Sequence, residues 1–502
     1  MPSSPGEFRP CAAGRPNVLV IMTDQHRWDL MTCAGRDDVP TPNIDRIAAR
    51  GVRFTHAYCP YPVCVASRMA MLTGLYSHST GSINNTDRLD WRYRTMAHHF
   101  ADNGYLTGLI GKMHFNDGFK HGFEYYLSLN DWLMYLGPKE QHYANEIANN
   151  PIGPNFFNTV DDHGAGFPDV SGLWIDGKSP WRGNVERFTF DDMASQLPAE
   201  DHLDSFIARE TSKFLRARRD EPFFLIASFM KPHTPLFPPK EWAARYPVDA
   251  MTLPPVGDIS TYPPHLQQKS QGFQKLGDKR LKAHRAGYRG NLAFVDTCIG
   301  QVLDTLEETG QIDNTIIVYT SDHGDQDGDH GMYQKFCLFE GAVRVPLFVS
   351  YPKLVPRGKT VDSPTEMIGM YPTLLELTGL EPPRKTTLVD MPGAPARMDA
   401  KSFAEVARHP ELEGPEAAFS EYNLRAPVSS FMVRTRRYKY IFNHGTLDEL
   451  YDYEADPGEY VNRINDPGLA TVRKDLRERL FAWYDAEKNP YRPSGKEIPQ
   501  RR

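Results

Sequence analysis

Asp24 with Gln25 and Asp322 with His323 are two short polar pairs, each standing directly after an apolar run. Carboxylate, amide and imidazole donors gathered at one place could hold a divalent cation, and an oxygen-rich set favours a hard ion such as Ca²⁺, Mg²⁺ or Mn²⁺. Lys112, His114, Lys231, His233, Lys335 and Arg68 lie in or beside similar positions. That many cationic and proton-donating groups suit a tetrahedral oxyanion, because charge-assisted bonds to its oxygens are strong. Taken singly, each has an ordinary alternative: an Asp after a strand is often a helix cap, and surface lysines are solvated. Between the polar pairs runs "CPYPVCVASRMAMLTGLYSHSTG", residues 59 to 81. Cys64 within it could be a buried thiol, half of a disulfide, a metal ligand or the precursor of something more reactive. Soft sulfur matches a hard cation poorly, so an oxygenated derivative fits better than a plain cysteine ligand.

Residues so far apart in the chain meet only if the fold brings them together. "NVLVIM", "TGLIG", "FFLIASF" and "TIIVYT" each end abruptly in polar residues and read as buried parallel strands. Helix-like stretches alternate with them: "TPNIDRIAARG", "MAHHFADNGY", "DSFIARETSKFLRARR" and "GNLAFVDTCIGQVLDTLEETG". The alternation predicts an α/β fold, a large, mostly parallel sheet with helices on both faces, whose strands present their carboxyl ends to one ligand-binding edge. Near residue 375 the character changes: "LLELTGL" closes a helix and "EPPRKTTLVDMPGAPARMD" is rich in turn formers. The expected units are therefore an N-terminal α/β domain over 1–375 and a C-terminal α+β subdomain over 376–502, a small antiparallel sheet with one covering helix.

A chain of 502 residues is long enough for one large domain and a smaller one. The net charge of −7 is spread without blocks of one sign, so neither a nucleic-acid tail nor a membrane face is expected. No basic start with an apolar stretch opens the chain, which reads as cytoplasmic. Six cysteines without a CxxC pair argue against a disulfide scaffold.

"CVASRMAMLTG" resembles the signature of the type I, formylglycine-dependent sulfatases of the alkaline phosphatase-like superfamily. The resemblance extends in order through "PNVLVIMTDQHRWD", "GYLTGLIGKMHF", "FMKPHTPLFPP", "SDHGDQDGDHGMYQKFCLFEGAVRVPLFV" and "TRRYKYIFNHGTLDELYDYEADPGE". It implies that a maturation enzyme oxidises Cys64 to formylglycine, whose hydrated aldehyde is the nucleophile. Asp24, Gln25, Asp322, His323 and the modified Cys64 would hold Ca²⁺. Arg68 and Lys112 would steady the diol and sulfate, while Ser67 has no obvious direct contact. His233 and Lys335 would hold sulfate oxygens and assist the departing alcohol, and His114 would take a proton from the remaining hydroxyl. Ala66 stands where many members carry proline, and Gln25 replaces a second carboxylate, as in choline sulfatases and phosphonate monoester hydrolases.

The expected activity is hydrolysis of a carbohydrate or small-alcohol sulfate. Its rivals are a phosphonate monoester or phosphodiester hydrolase using the same nucleophile, and an inactive metal-binding relative. "KPHTPLFPPKEW" resembles uronate-2-sulfatases and hints at a sugar sulfate. Asn85 is read as a pocket residue, and Trp132 beside Asp131 as either a pocket wall or a core aromatic. A long loop over about 150–190, with Asp161, Asp162, His163, Trp174 and Trp181, is expected to shape the pocket. A homo-oligomer is compatible with the sequence.

Overall fold

The computed structural model describes residues 14–139, 142, 146, 193–218 and 221–491. The expected pocket-shaping loop, with Asp161, Asp162, His163, Trp174 and Trp181, lies outside the described residues. In chain order the first strands are β1 (Asn17–Asp24), β2 (Val52–Tyr58), β3 (Leu106–Gly111), β4 (Tyr125–Leu127), β5 (Phe223–Pro232), β6 (Thr315–Ser321), β7 (Arg344–Ser350), β8 (Lys359–Val361) and β9 (Thr365–Glu366). They form one nine-stranded sheet in the order β4-β3-β5-β1-β6-β7-β2-β8, with β9 also paired to β2. Only β7 opposes its neighbours, β6 and β2; the remaining pairings are parallel.

The four apolar runs of the sequence are β3, β5, β1 and β6, and they are consecutive neighbours in the middle of the sheet. Their polar sequels, at 112–114, 231–233, 24–25 and 322–323, therefore emerge side by side at one edge. β1 is buried along its whole length because both faces are covered. Its side chains alternate with period 2: Val18, Val20 and Met22 enter one hydrophobic core, Leu19 and Ile21 the other. The first core also takes Met69 and Leu72 of the Cys64–Thr73 helix, and the second takes Ile207 and Val302 from the Leu203–Ala217 and Asp278–Glu308 helices.

The Asp278–Glu308 helix runs 31 residues and begins well before Gly290, where its apolar pattern starts. Its polar first half is held by tertiary contacts rather than by an apolar stripe. Arg289 Nη1 pairs with Asp327 Oδ2 at 3.1 Å, and the Tyr288 hydroxyl donates to the Gln25 carbonyl at 2.6 Å.

The second sheet is antiparallel, β10 (Ala417–Tyr422), β11 (Ser430–Thr435), β12 (Tyr438–Asn443) and β13 (Glu449–Asp452) in that order. The alternating stretch "SSFMVRTRRYKYIFN" makes both β11 and β12, turning at Arg436 and Arg437. The Ala470–Trp483 helix covers this sheet with Leu476 and Leu480. A buried ionic junction joins the small sheet to the chain just after Lys335: Lys439 Nζ lies 2.9 Å from Glu340 Oε1 and 2.6 Å from Glu459 Oε1. Cys33, Cys59, Cys64, Cys298 and Cys337 are free thiols. Among the described residues, no helix is long and apolar enough to cross a membrane.

Candidate active site

Cys64 opens the Cys64–Thr73 helix, which is buried at every position and ends at Gly74 in a left-handed turn (φ 68°). No side chain of the preceding residue caps this helix. Instead Asn85 Oδ1 accepts from the Val65 backbone N–H at 3.3 Å, supplying one of the bonds that a helix start leaves open. Thus Asn85 supports the turn that presents Cys64.

The ligand atoms of Asp24, Cys64, Asp322 and His323 lie within 4.8 Å of one another, and all four residues are buried. Cys64 Sγ marks the position an oxygen would take if the residue were oxidised. It sits 3.3 Å from His323 Nε2, 3.9 Å from Asp24 Oδ1, 3.0 Å from Lys335 Nζ and 3.9 Å from Lys112 Nζ. Burial alone would push this thiol up, but Lys112, Lys335, His323 and His114 together draw it well below its ordinary pKa. His114 and Gln25 both adopt left-handed backbone angles (φ 74° and 67°), which non-glycine residues rarely use. His114 is buried beside the thiol, and its ring contributes to holding the Cys64 pKa down.

Arg68 lies one helical turn after Cys64 and faces the same edge. Its Nε donates to Asp322 Oδ2 at 2.7 Å, Nη2 to Asp24 Oδ2 at 3.0 Å and Nη1 to Ser228 Oγ at 2.8 Å. Lys112 Nζ reaches Asp24 Oδ2 at 2.6 Å. Burial and Cys64 raise the Asp24 pKa, yet Lys112, His233 and Arg68 outweigh them and hold it below the usual carboxylate range. Asp322 goes the other way, raised by burial against the pull of Arg68. Burial lowers His233 to about 4, despite Asp24 nearby, with Lys112 and Lys335 adding to the shift.

The donor set tests well against a hard cation. Two buried carboxylates and one imidazole converge, a thiol is the one soft donor among them, and the Gln25 amide oxygen meets the Lys335 ammonium that also touches that thiol. Gln25 Oε1 is turned toward Lys335 Nζ at 3.1 Å while its Nε2 donates to Asp325 Oδ2 at 2.6 Å. Ammonium and guanidinium groups now balance the acidic cluster.

Of the expected site residues, Asp24, Gln25, Cys64, Arg68, Lys112, His114, His233, Asp322, His323 and Lys335 come together. Ser67 is buried behind them, its Oγ donating to the Asp322 carbonyl at 2.5 Å. Lys231, counted among the cations in the sequence, turns to the Pro235 carbonyl at 2.6 Å instead. Trp132 is packed in the second core, 1% exposed, with Nε1 donating to the Asp201 carbonyl at 2.7 Å. Asp131 caps its helix through Ser128. Two participants escaped the sequence reading, Ser228 and Asp325. The first lies inside the β5 run and the second two residues beyond His323, so each stood next to a recognised motif.

The family model described as Sulfatase matches residues 16–380, and one described as N-sulphoglucosamine sulphohydrolase, C-terminal, matches residues 328–486. The chain belongs to the sulfatase family. Its expected class, a sulfuric ester hydrolase, stands with that membership. It is 29% identical to an arylsulfatase of Clostridium perfringens over 96% of this chain and 97% of that protein. Identity to the choline-sulfatase of Rhizobium meliloti is 28%, over 92% of this chain and 86% of the relative. The crystal structure of the phosphonate monoester hydrolase of Agrobacterium radiobacter superposes with a TM-score of 0.73 at 24% identity, covering 93% of this chain and 95% of that one. That likeness shows that the two chains share a fold, which in this chain is the mixed sheet with its small antiparallel partner.

Proposed function

We propose that this sulfatase hydrolyses the sulfate ester of a small alcohol or carbohydrate, with residue 64 acting as formylglycine beside a divalent cation, Ca²⁺ by the hardness of its donors. The observation that carries the reading is the setting of Cys64 Sγ, buried between two carboxylates and ringed by Lys335, His323 and Lys112 within 3.9 Å. Asp24, Gln25, Asp322, His323 and an oxygen on residue 64 would hold the ion. The bound ion and the hydrated aldehyde would supply an acidified hydroxyl nucleophile and a positive field for the sulfate oxygens.

The remaining work falls to side chains of the chain. Lys112 and Lys335 both end within 3.9 Å of Cys64 Sγ and are suited to neutralise the oxygens of a bound sulfate. Lys335 Nζ lies 3.1 Å from His233 Nε2, so the two share one proton at most. His233, lowered by burial to about 4, is neutral at pH 7, which makes Lys335 the donor to the departing alcohol oxygen. Burial alone would lower Lys335, and Cys64 leads the charges that instead raise it. Replacing the thiolate by a neutral diol removes that partner and eases the proton's release. His114, whose ring hydrogen-bonds to the residue 64 side chain, is placed to take a proton from the hydroxyl left there.

The test compares an aryl sulfate, a phosphonate monoester and a phosphodiester on protein co-expressed with a formylglycine-generating enzyme, with Cys64→Ala as control. The sulfate should have the highest kcat/KM and the control none. A phosphonate preference, or turnover by the control, would overturn the reading.

A further inference from the structure

We infer that Asp325 is a positioning residue that decides which end of the Gln25 amide faces the cation site, an inference that rests on the reading above. A glutamine amide fits its space equally well in two orientations that exchange an acceptor for a donor of two hydrogens. Only the oxygen end can serve a cation. Gln25 has no freedom to choose by exposure, since its side chain is fully buried. Its partners choose for it.

One end of the amide meets the Asp325 carboxylate at 2.6 Å, and the other meets the Lys335 ammonium at 3.1 Å. With Nε2 toward the carboxylate and Oε1 toward the ammonium, both contacts are attractive. Turned over, oxygen would face carboxylate oxygen and NH₂ would face ammonium, two repulsive contacts in a buried setting. The carboxylate is itself held in place. Its Oδ1 accepts from the backbone N–H of Asp327 at 2.6 Å and of Gln334 at 3.2 Å, which leaves Oδ2 aimed at Gln25. Gln334 directly precedes Lys335, so the same carboxylate also ties down the loop that brings the ammonium in. The Gln25 main chain is fixed separately, its N–H donating to Asp322 Oδ1 at 3.1 Å and its carbonyl accepting from the Tyr288 hydroxyl at 2.6 Å. Rotation of the side-chain amide is therefore the freedom that Asp325 removes. Asp325 acts through Gln25.

Asp325→Asn keeps the shape and makes the orientation fail. The Asp327 and Gln334 N–H groups claim the single oxygen of the new amide, turning its NH₂ toward Gln25, which then swings its own oxygen away from the site. Calcium affinity, read by calorimetry on the full-length protein after chelation, should fall by about 10- to 100-fold, the usual cost of losing a group that orients a metal ligand. The exchanged pair Gln25→Glu with Asp325→Asn again places a donor against an acceptor and presents an oxygen to the site, so affinity should return most of the way to the parent value. Because the added carboxylate strengthens a calcium site by itself, the recovery is read against Gln25→Glu alone. The exchange should raise affinity by more over Asp325→Asn than Gln25→Glu raises it over the parent, and a purely structural role for Asp325 gives equal gains. Should Asp325→Asn alone fail to fold, judged by its cation-free melting curve, the exchanged pair decides. Affinity of Asp325→Asn within about twofold of the parent, or an exchanged pair as weak as the single variant, overturns the inference. A parent that binds no calcium, or binds it equally well after Asp24→Ala, overturns the metal-site reading and this inference with it; binding that needs Asp24 but not Asp325 overturns the inference alone.

Discussion

Arg68→Met removes a guanidinium that is fully buried between two carboxylates, and its cost can be worked from the contacts it leaves behind. Asp24 keeps Lys112 Nζ at 2.6 Å, so its charge stays covered. Asp322 keeps the Gln25 and His323 backbone N–H groups on Oδ1, at 3.1 and 3.0 Å, but its Oδ2 loses Arg68 Nε at 2.7 Å. Breaking a buried pair by deleting one partner costs about 3–5 kcal/mol. Because one of the two carboxylates remains paired, the loss should fall near the lower end, about 3 kcal/mol. The assay is urea unfolding in chelator, Arg68→Met against the parent, at pH 7 and at stepwise lower pH.

The pH dependence carries a sign. In the parent, Asp24 has a depressed pKa, set against burial and Cys64 by Lys112, His233 and Arg68; its stabilisation is present above the unfolded value and fades as pH falls through the folded one. In the variant, Asp322, already raised by burial in the parent, moves higher still. Its folded form then binds protons more readily than the unfolded chain, so its penalty lifts as the pH drops below that raised pKa. Both effects narrow the gap between variant and parent toward acid. A loss below about 1 kcal/mol at pH 7, or a gap that widens toward acid, would refute the charge balance described for this site.

Three further perturbations separate the roles of neighbouring residues. Lys335→Ala should lower kcat by about 100- to 1000-fold, the scale of losing one preorganised oxyanion donor, while the urea midpoint moves far less than for Arg68→Met. Asn85→Ala removes the acceptor for the Val65 N–H and should cost about 1 kcal/mol in urea unfolding, the magnitude of a lost helix-start bond. Trp132→Phe should leave KM for an aryl sulfate unchanged and cost about 1 kcal/mol through the lost bond to the Asp201 carbonyl; a large rise in KM would instead place Trp132 at the substrate.

The site was legible in the sequence to the extent that it hangs on strand ends. β1, β3, β5 and β6 announce themselves as unbroken apolar runs because both faces of a central parallel strand are covered, and the polar residues that end such runs must emerge at the sheet edge. Asp24, Lys112, His233 and Asp322 follow from that rule. What the rule does not carry is the direction of a side chain after the strand ends. Lys231 and His233 stand two residues apart, yet one turns to the Pro235 carbonyl and the other to Lys335. Asn85 read as a pocket residue because a lone polar residue in a loop has no periodicity to place it, and its oxygen proves to be taken by a backbone N–H. Asp325 was passed over for a similar reason, since its work is done through another side chain. The polar first half of the Asp278–Glu308 helix was missed because Arg285, Tyr288 and Arg289 are held by partners on distant segments, which no local pattern reveals.

The most direct test is mass spectrometry of the peptide that contains residue 64, taken from protein made with and without a formylglycine-generating enzyme and paired with turnover on the same samples. An aldehyde or its hydrate at position 64, in a fraction that tracks the turnover rate and is lost on trapping with a hydrazide, is the expected result. Full turnover from protein whose residue 64 is entirely thiol would contradict the proposed nucleophile.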